Sequence, residues 1–554
     1  MKTALFVLLA IAASAQDPAI TAPQKHSISG TVRDAGTGAP LADADVYLNR
    51  GNAKAIEAET DSQGHFTLRD VEPGRHRITV TGKSQDGGRG FGAQTAKTVT
   101  LGNQDLTGVD FVLRPKGSIS GTITDQNGEP VPDIMVILIA REYSLGALHY
   151  VFAGNTTTND AGEYTLQNVE PGRGYLILAE KRTFNLSAMS ESPEDPRLRR
   201  RAVVPTFYPG APVPEGAQAI ALRPGEHREA IDIRLQRSPS YCIDGTIDRV
   251  AAGGTLRFEI AARQPTSGAS GNGAAFIVSP GGAPGPDGKI RVCDLAPGDY
   301  QLAAIQYPPG QDMPFYGTTD VTITDSDLHR FSLAPRTHVP LPAEVVWFGT
   351  APDPAPGKLT VELTPLTRMT FGGELSKLTQ TVPIAGQAAW DELLVDDYSI
   401  QVRGIPSSAY LKDITYGNRS ILHQPLRIGA ASGDPSLRIV LAADGGPISA
   451  KVTDKDGNPL ADEYVVILPA SSATEAALSA ALVSIPTDQN GSCASSTLAP
   501  GKYFVAASAA PPDRTPESVA RIWANRSRFQ EVEIAPKSTI QVTLVPIPDL
   551  APGN

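Results

Sequence analysis

The sequence predicts an all-β protein, a tandem array of about five β-sandwich domains behind a signal peptide. Three observations predict it. An eleven-residue phrase, first complete at Gly64-His65-Phe66-Thr67-Leu68-Arg69-Asp70-Val71-Glu72-Pro73-Gly74, returns at Gly162–Gly172, Gly288–Gly298 and Gly491–Gly501 with the same Gly-to-Pro spacing, and a further copy, Gly386–Asp396, ends in Val395-Asp396 instead. The composition, 52 Gly and 47 Pro with only 6% aromatic residues, is that of many short strands joined by many turns. At 554 residues the chain is too long for a single core, and a repeat of roughly 90–120 residues suits sandwiches of ordinary size.

Each phrase reads as a turn glycine, an alternating strand and a second turn. Phe66, Leu68 and Val71 supply the apolar side, while His65, Thr67 and Arg69 point outward. Short polar residues precede the glycine: Asp61-Ser62-Gln63, Asn159-Asp160-Ala161 and Asp488-Gln489-Asn490. Such a turn needs φ > 0, so Gly64, Gly162, Gly288 and Gly491 are expected to be structural turn residues and not ligand contacts. After the Pro-Gly comes another alternating strand, carrying Ile78 and Val80, Tyr300 and Leu302, Tyr398 and Ile400, or Tyr503 and Val505.

A second phrase opens the units: Ile28-Ser29-Gly30-Thr31-Val32-Arg33-Asp34, Ile119-Ser120-Gly121-Thr122-Ile123-Thr124-Asp125 and Ile448-Ser449-Ala450-Lys451-Val452-Thr453-Asp454. Gly-x-Pro-hydrophobic follows, as in Gly128-Glu129-Pro130-Val131, and then a β-branched strand such as Ile134–Leu138. Together the two phrases resemble the carboxypeptidase regulatory-like domain, which implies a transthyretin-like, seven-stranded sandwich with a carbohydrate-binding-like fold. The first, second and fifth units carry most of the resemblance; the third and fourth carry only the phrase and the closing strand.

In chain order, Met1-Lys2-Thr3, the apolar run Ala4–Ala12 and Ala13-Ser14-Ala15 read as a secretory signal, residues 1–15, cut before Gln16. The units then span residues 26–115, 116–236, 237–335, 336–443 and 444–546. The first connection, Arg114–Gly117, is so short that a semi-rigid rod is expected. The second unit carries an insertion, Lys181–Gly210, and the third a glycine-rich run, Gly268–Gly288. The fifth holds an alanine-rich stretch, Ser471–Ile485, and a helix beginning Thr515-Pro516-Glu517, with Thr515 as cap and Pro516 at the first helical position, expected on the sandwich edge. Aligned to the repeat, Cys242 and Cys293 fall outward on strands that such a sandwich can bring side by side. An exported protein could join them in a disulfide, the alternative being two unpaired surface thiols. Cys493 takes the core position of Phe66 and reads as a buried free thiol.

Catalytic motifs are absent. None of the eight histidines has Glu three residues on, so the zinc-binding His-x-x-Glu of a carboxypeptidase is missing, and the resemblance reaches only the accessory sandwich. Gly117-Ser118-Ile119-Ser120-Gly121 puts isoleucine where a nucleophile elbow needs serine. Asp454-Lys455-Asp456-Gly457-Asn458 lacks the later acid that closes a calcium loop. No enzyme activity, cofactor or metal is therefore expected. A net charge of −11 argues against nucleic acid or an anionic membrane as partner, and the basic run Arg197–Arg201 is offset by nearby acids.

What remains is an exported, secreted or cell-surface binding and scaffold protein, extracellular or periplasmic, with no transmembrane segment once the signal is removed. The resemblance makes carbohydrate or another cell-surface polymer the leading partner; a stalk, or an accessory subunit contacting an envelope protein, is the alternative. Sugar binding uses exposed aromatic platforms, for which Tyr143, Tyr150, Phe152, Tyr208 and Tyr316 are the candidates, each also readable as a core or edge aromatic.

Overall fold

The computed structural model describes residues 25–50, 53–82, 94–181, 201–249, 253–262, 277–285, 287–310, 314–336, 338–351, 357–366, 378–383, 386–429 and 435–550. The signal sequence, most of the second unit's insertion with the Arg197–Arg200 run, and much of the glycine-rich stretch lie outside these residues. Essentially, residues up to Leu113 form one compact unit and residues from Arg114 onward form another.

The first unit is a seven-stranded sandwich. One sheet sets His26–Asp34 between His65–Val71 and Phe111–Leu113; the other runs Ala53–Glu59, Asp45–Arg50, Gly74–Thr81, Gln94–Leu101. The opening phrase pairs antiparallel with the eleven-residue phrase in the register Ile28↔Leu68 and Gly30↔Phe66. Phe66, Leu68 and Val71 are buried and His65, Thr67 and Arg69 exposed, although Leu68 and Val71 are three residues apart. Asp70 reconciles that spacing by taking φ +60°, and Asn168 does the same in the second unit at +59°. Asp and Asn tolerate this left-handed conformation, so one extra residue bulges and the next apolar side chain returns to the core. Thr31 closes the sheet by donating from its amide and its hydroxyl to Asp110 Oδ1, both at 2.8 Å; Thr122 and Asp232 repeat both bonds in the second unit.

The second compact unit holds four further pairs of sheets. The third and fifth sandwiches repeat the three-plus-four strand arrangement, and the fourth is larger, with five strands facing four. Their cores join residues from both sheets: Ile243, Val292 and Leu333 with Leu256, Ile260 and Leu302 in the third, Leu341, Trp390 and Ile439 with Leu359, Val361 and Tyr398 in the fourth. In the third, Cys242 and Cys293 are bonded at 2.07 Å with their Cα atoms 4.0 Å apart. Cys242 does not face solvent: it is 1% exposed, because a register shift between Tyr241 and Ile243 breaks the alternation and buries three residues in succession. Cys493 is a free, half-buried thiol packed against the fifth core, and burial pushes its pKa up to about 11.

All four phrase glycines have positive φ, from +70° to +77°. A β-carbon on Gly64, Gly162, Gly288 or Gly491 would stand 2.5–2.6 Å from the carbonyl oxygen of Val32, Ile123, Ile247 or Val452, the residue whose amide bonds that glycine's own carbonyl. The glycine is where the phrase pinches against the end of the opening strand.

The second sandwich departs from the pattern by burying its larger sheet on both faces. Val136, Leu138, Tyr175 and Ile177 enter the core, while Ile137, Ile139, Leu176, Leu178 and Phe207 form a second cluster on the opposite face. The unbroken apolar runs Met135–Ala140 and Tyr175–Ala179 are what two-sided burial requires. In the fifth sandwich two helices, α1 (Glu475–Ala481) and α2 (Pro516–Asn525), cover the outer face of the larger sheet. Leu478, Val519 and Ile522 pack on Val466, Leu468 and Ala506 there, so the helices lie on a sheet face and not on the edge anticipated from sequence. Thr474 and Thr515 cap them, accepting from the amides of Ala477 and Ser518.

Candidate functional site

The step from the phrase to the following tyrosine is one residue longer in the second unit, and that segment marks a docking surface. In the third, fourth and fifth sandwiches the tyrosine after the phrase donates its hydroxyl four residues back: Tyr300 to Ala296 O at 2.7 Å, Tyr398 to Leu394 O at 3.0 Å, Tyr503 to Ala499 O at 2.9 Å. Tyr175 makes the same bond five residues back, to Glu170 O at 3.1 Å, because Arg173-Gly174 occupies the place that Asp299 or Lys502 fills alone. Both of these residues meet the fifth sandwich. Arg173 stands between Glu142 (2.7 Å) and Asp513 (3.9 Å), and a β-carbon on Gly174 would come within 2.4 Å of Glu517 Oε1.

Around them the second and fifth sandwiches clasp. Arg141 Nη2 reaches Glu517 Oε1 at 2.6 Å, the Tyr143 amide donates to Arg514 O at 2.7 Å, and the Tyr143 hydroxyl donates to Glu475 Oε2 at 3.2 Å. The Tyr143 ring packs against the helix cluster of the fifth sandwich. The rod expected from short linkers therefore does not describe this unit: a bare hairpin tip and an apolar-backed helix pair gain more by burying each other than by standing apart in water.

Beside the clasp opens a cleft of about 550 Å³. Arg223, Glu226 and Arg228 line it from the second sandwich, Glu517 and Arg521 from α2. Glu226 accepts from the Arg223 amide at 2.9 Å and from Arg228 Nη1 at 3.1 Å, and the first of these bonds leads in holding its carboxyl below the usual range. Arg521 Nε and Glu517 Oε2 are buried without a hydrogen-bond partner. Sequence reading missed these residues, since charged side chains contributed by segments some 300 residues apart form no motif.

The aromatic candidates are placed differently from a sugar platform. Tyr143 is in the clasp; Tyr150 and Phe152 are half-buried against the outer cluster of Ile137 and Ile139; Tyr208 is half-buried against the second core. Tyr316 is 0% exposed, so as an open platform it is corrected: a ring with no free face cannot stack on a sugar. Tyr143, Tyr150, Phe152 and Tyr316 are strand residues whose rings pack onto neighbouring apolar surface, and only Tyr208 lies in a connection, just after the strand Thr206–Phe207. Phe348 is 54% exposed, with Lys412 Nζ 4.0 Å over its ring.

Chemistry beyond binding finds few groups to use. Ser118 Oγ lies 2.8 Å from His227 Nδ1 on an exposed strand pair, and among the described residues no carboxylate is hydrogen-bonded to that imidazole. Among the described residues no three His, Cys, Asp or Glu side chains converge as a metal site, and no helix is long and apolar enough to cross a membrane.

Comparison with known proteins bears on the first sandwich. Residues 27–114 match the carboxypeptidase regulatory-like domain. No curated protein matches the chain. Solved structures similar to it include a streptococcal ancillary pilin (12% identity, 56% of this chain and 99% of that one, TM-score 0.18) and the full-length major pilin RrgB of Streptococcus pneumoniae (10%, 95% and 100%, TM-score 0.18). The Bacillus anthracis TIE protein is a third (11%, 96% and 76%, TM-score 0.15). Scores this low carry over neither shape nor function.

Proposed function

We propose that this is an exported, non-catalytic scaffold and binding protein that engages carbohydrate or another cell-surface polymer through the cleft between its second and fifth sandwiches. The observation that carries the reading is the clasp itself. Two sandwiches far apart in sequence are held by ion pairs and a shared apolar cluster, and beside them lies a cleft lined with charged side chains that make few bonds to one another. Clefts at domain junctions are where ligands are commonly held. A glycan array probed with the exported chain tests it: binding that is lost when cleft arginines are replaced supports the reading, and an array without any signal removes it. The second reading, a structural component of the envelope, is favoured by the amount of surface that the second sandwich buries on both faces of one sheet. Co-purification with envelope material but no glycan signal would select it.

A further inference from the structure

We infer that the cleft takes the carboxylate of an acidic sugar, gripped by Arg521 on α2 and Arg223 on the second sandwich; this rests on the carbohydrate reading and narrows its ligand. The inference follows from which charges are already engaged. Arg228 is held by Glu226, and Glu517 Oε1 by Arg141. Arg223 donates to Glu226 only through its backbone, and among the described residues neither its guanidinium nor that of Arg521 makes a hydrogen bond. A guanidinium presents a planar fork matched to a carboxylate, and Arg521 Nε is buried where an unmet donor is costly.

Glu517 Oε2 narrows the ligand further. It is a buried acceptor without a donor, on the same wall as Arg521. A ligand with one anionic group and neighbouring hydroxyls meets both needs, the carboxylate accepting from arginine and a hydroxyl donating to glutamate. A densely charged polymer does not: Glu226 and Glu517 stand in the same cleft, and the whole chain carries −11. A cleft of about 550 Å³ has room for one or two sugar rings. Because the two arginines belong to different sandwiches, the ligand also holds the clasp shut, and binding should raise the stability of the pair.

The test is calorimetric titration of the full exported chain with a disaccharide containing glucuronate, with its neutral glucose counterpart, and with acetate alone. The acidic disaccharide should bind, and raise the thermal transition, where the other two do not. Arg521→Gln and Arg223→Gln should each weaken it by about tenfold, the scale of one charge-assisted contact, while unliganded Arg223→Gln melts as wild type because that exposed side chain holds no hydrogen bond. Equal binding of the acidic and neutral disaccharides, or an unchanged affinity in Arg521→Gln, overturns the inference. So does tighter binding of a heavily sulfated polysaccharide, which would make the cleft a general anion patch. If the array finds a neutral glycan that Arg521→Gln leaves bound, the carbohydrate reading stands and this inference falls; if no saccharide of any charge binds, both fall.

Discussion

Arg141 and Glu517 are joined by a 2.6 Å ion pair although 376 residues separate them, with their side chains only 23% and 33% exposed. It is a single contact: Arg141 Nε and Glu517 Oε2 are buried without partners, so removing one side chain leaves the other charge poorly compensated. Arg141→Ala should therefore weaken the clasp by about 1–3 kcal/mol, on the scale of a charge-assisted hydrogen bond. Hydrogen exchange would show it as faster opening of the Tyr143 amide and of α2, with the third core unchanged. Unaltered exchange at both places would mean that the apolar cluster alone holds the two sandwiches together.

Gly162→Val tests the phrase as a backbone requirement. The substitution puts a β-branched side chain at φ +70° and a β-carbon 2.6 Å from Ile123 O, an atom that cannot move without breaking the turn. The left-handed conformation alone costs a side chain roughly 1 kcal/mol or more, and the clash adds to it. The second sandwich should unfold early and release the face on which the fifth docks. The first unit, with its own core, should keep its transition in a calorimetric scan. Normal stability together with lost ligand binding would instead mark the phrase as a binding loop.

The repeat was legible because its signals are local. Glycine before an alternating strand, proline-glycine after it and a polar turn ahead of it are each satisfied within a few residues, and they sufficed for the all-β class and for the turns. The departures had non-local causes. Leu68 and Val71 share a face only through the bulge at Asp70, and Cys242 is buried only because of a register shift. The strands were read as burying one face, and the second covered face of Met135–Ala140 and Tyr175–Ala179 depends on Phe207, Ala211 and Ala217, which only the fold brings onto it. The cleft was invisible for the same reason: Arg223 and Arg521 acquire meaning only once the chain has folded back.

Asp61 makes the turns sensitive to acid. Its Oδ1 accepts from the amides of His65 at 2.8 Å and Gln63 at 2.9 Å, and the His65 bond is the leading cause that lowers its pKa. Asp125 is lowered chiefly by the equivalent bond from the Glu129 amide, and Asp454 first by the Asn458 side chain and then by the Asn458 amide. A carboxylate depressed in the folded state gives its full contribution above the unfolded value of about 3.9, and loses it as pH falls through the lower folded value. Unfolding of the first unit should thus become easier below about pH 4. Asp61→Asn should remove that part of the dependence, since Asn159 already makes the same two amide bonds, at 3.0 and 2.9 Å, without titrating. An unchanged acid limb in the variant would place the sensitivity elsewhere.

The bridge between Cys242 and Cys293 closes a loop across 51 residues, so it should restrain the unfolded third sandwich more than the folded one. A mass map of the oxidised protein that finds both as free thiols would refute the pairing. Replacing both should cost about 2–4 kcal/mol, seen as an earlier denaturant midpoint for the third sandwich. The choice of replacement matters because Cys242 is 1% exposed. Serine would bury a hydroxyl and add the cost of an unmet polar group to the loss of the bridge, whereas alanine adds only a small void. Cys242→Ala with Cys293→Ala, compared with the reduced wild type, therefore measures that void alone, and the oxidised against the reduced wild type isolates the crosslink. Equal midpoints for the oxidised and reduced wild type would show that the strand pairing around the register shift at Tyr241 holds the sandwich without it.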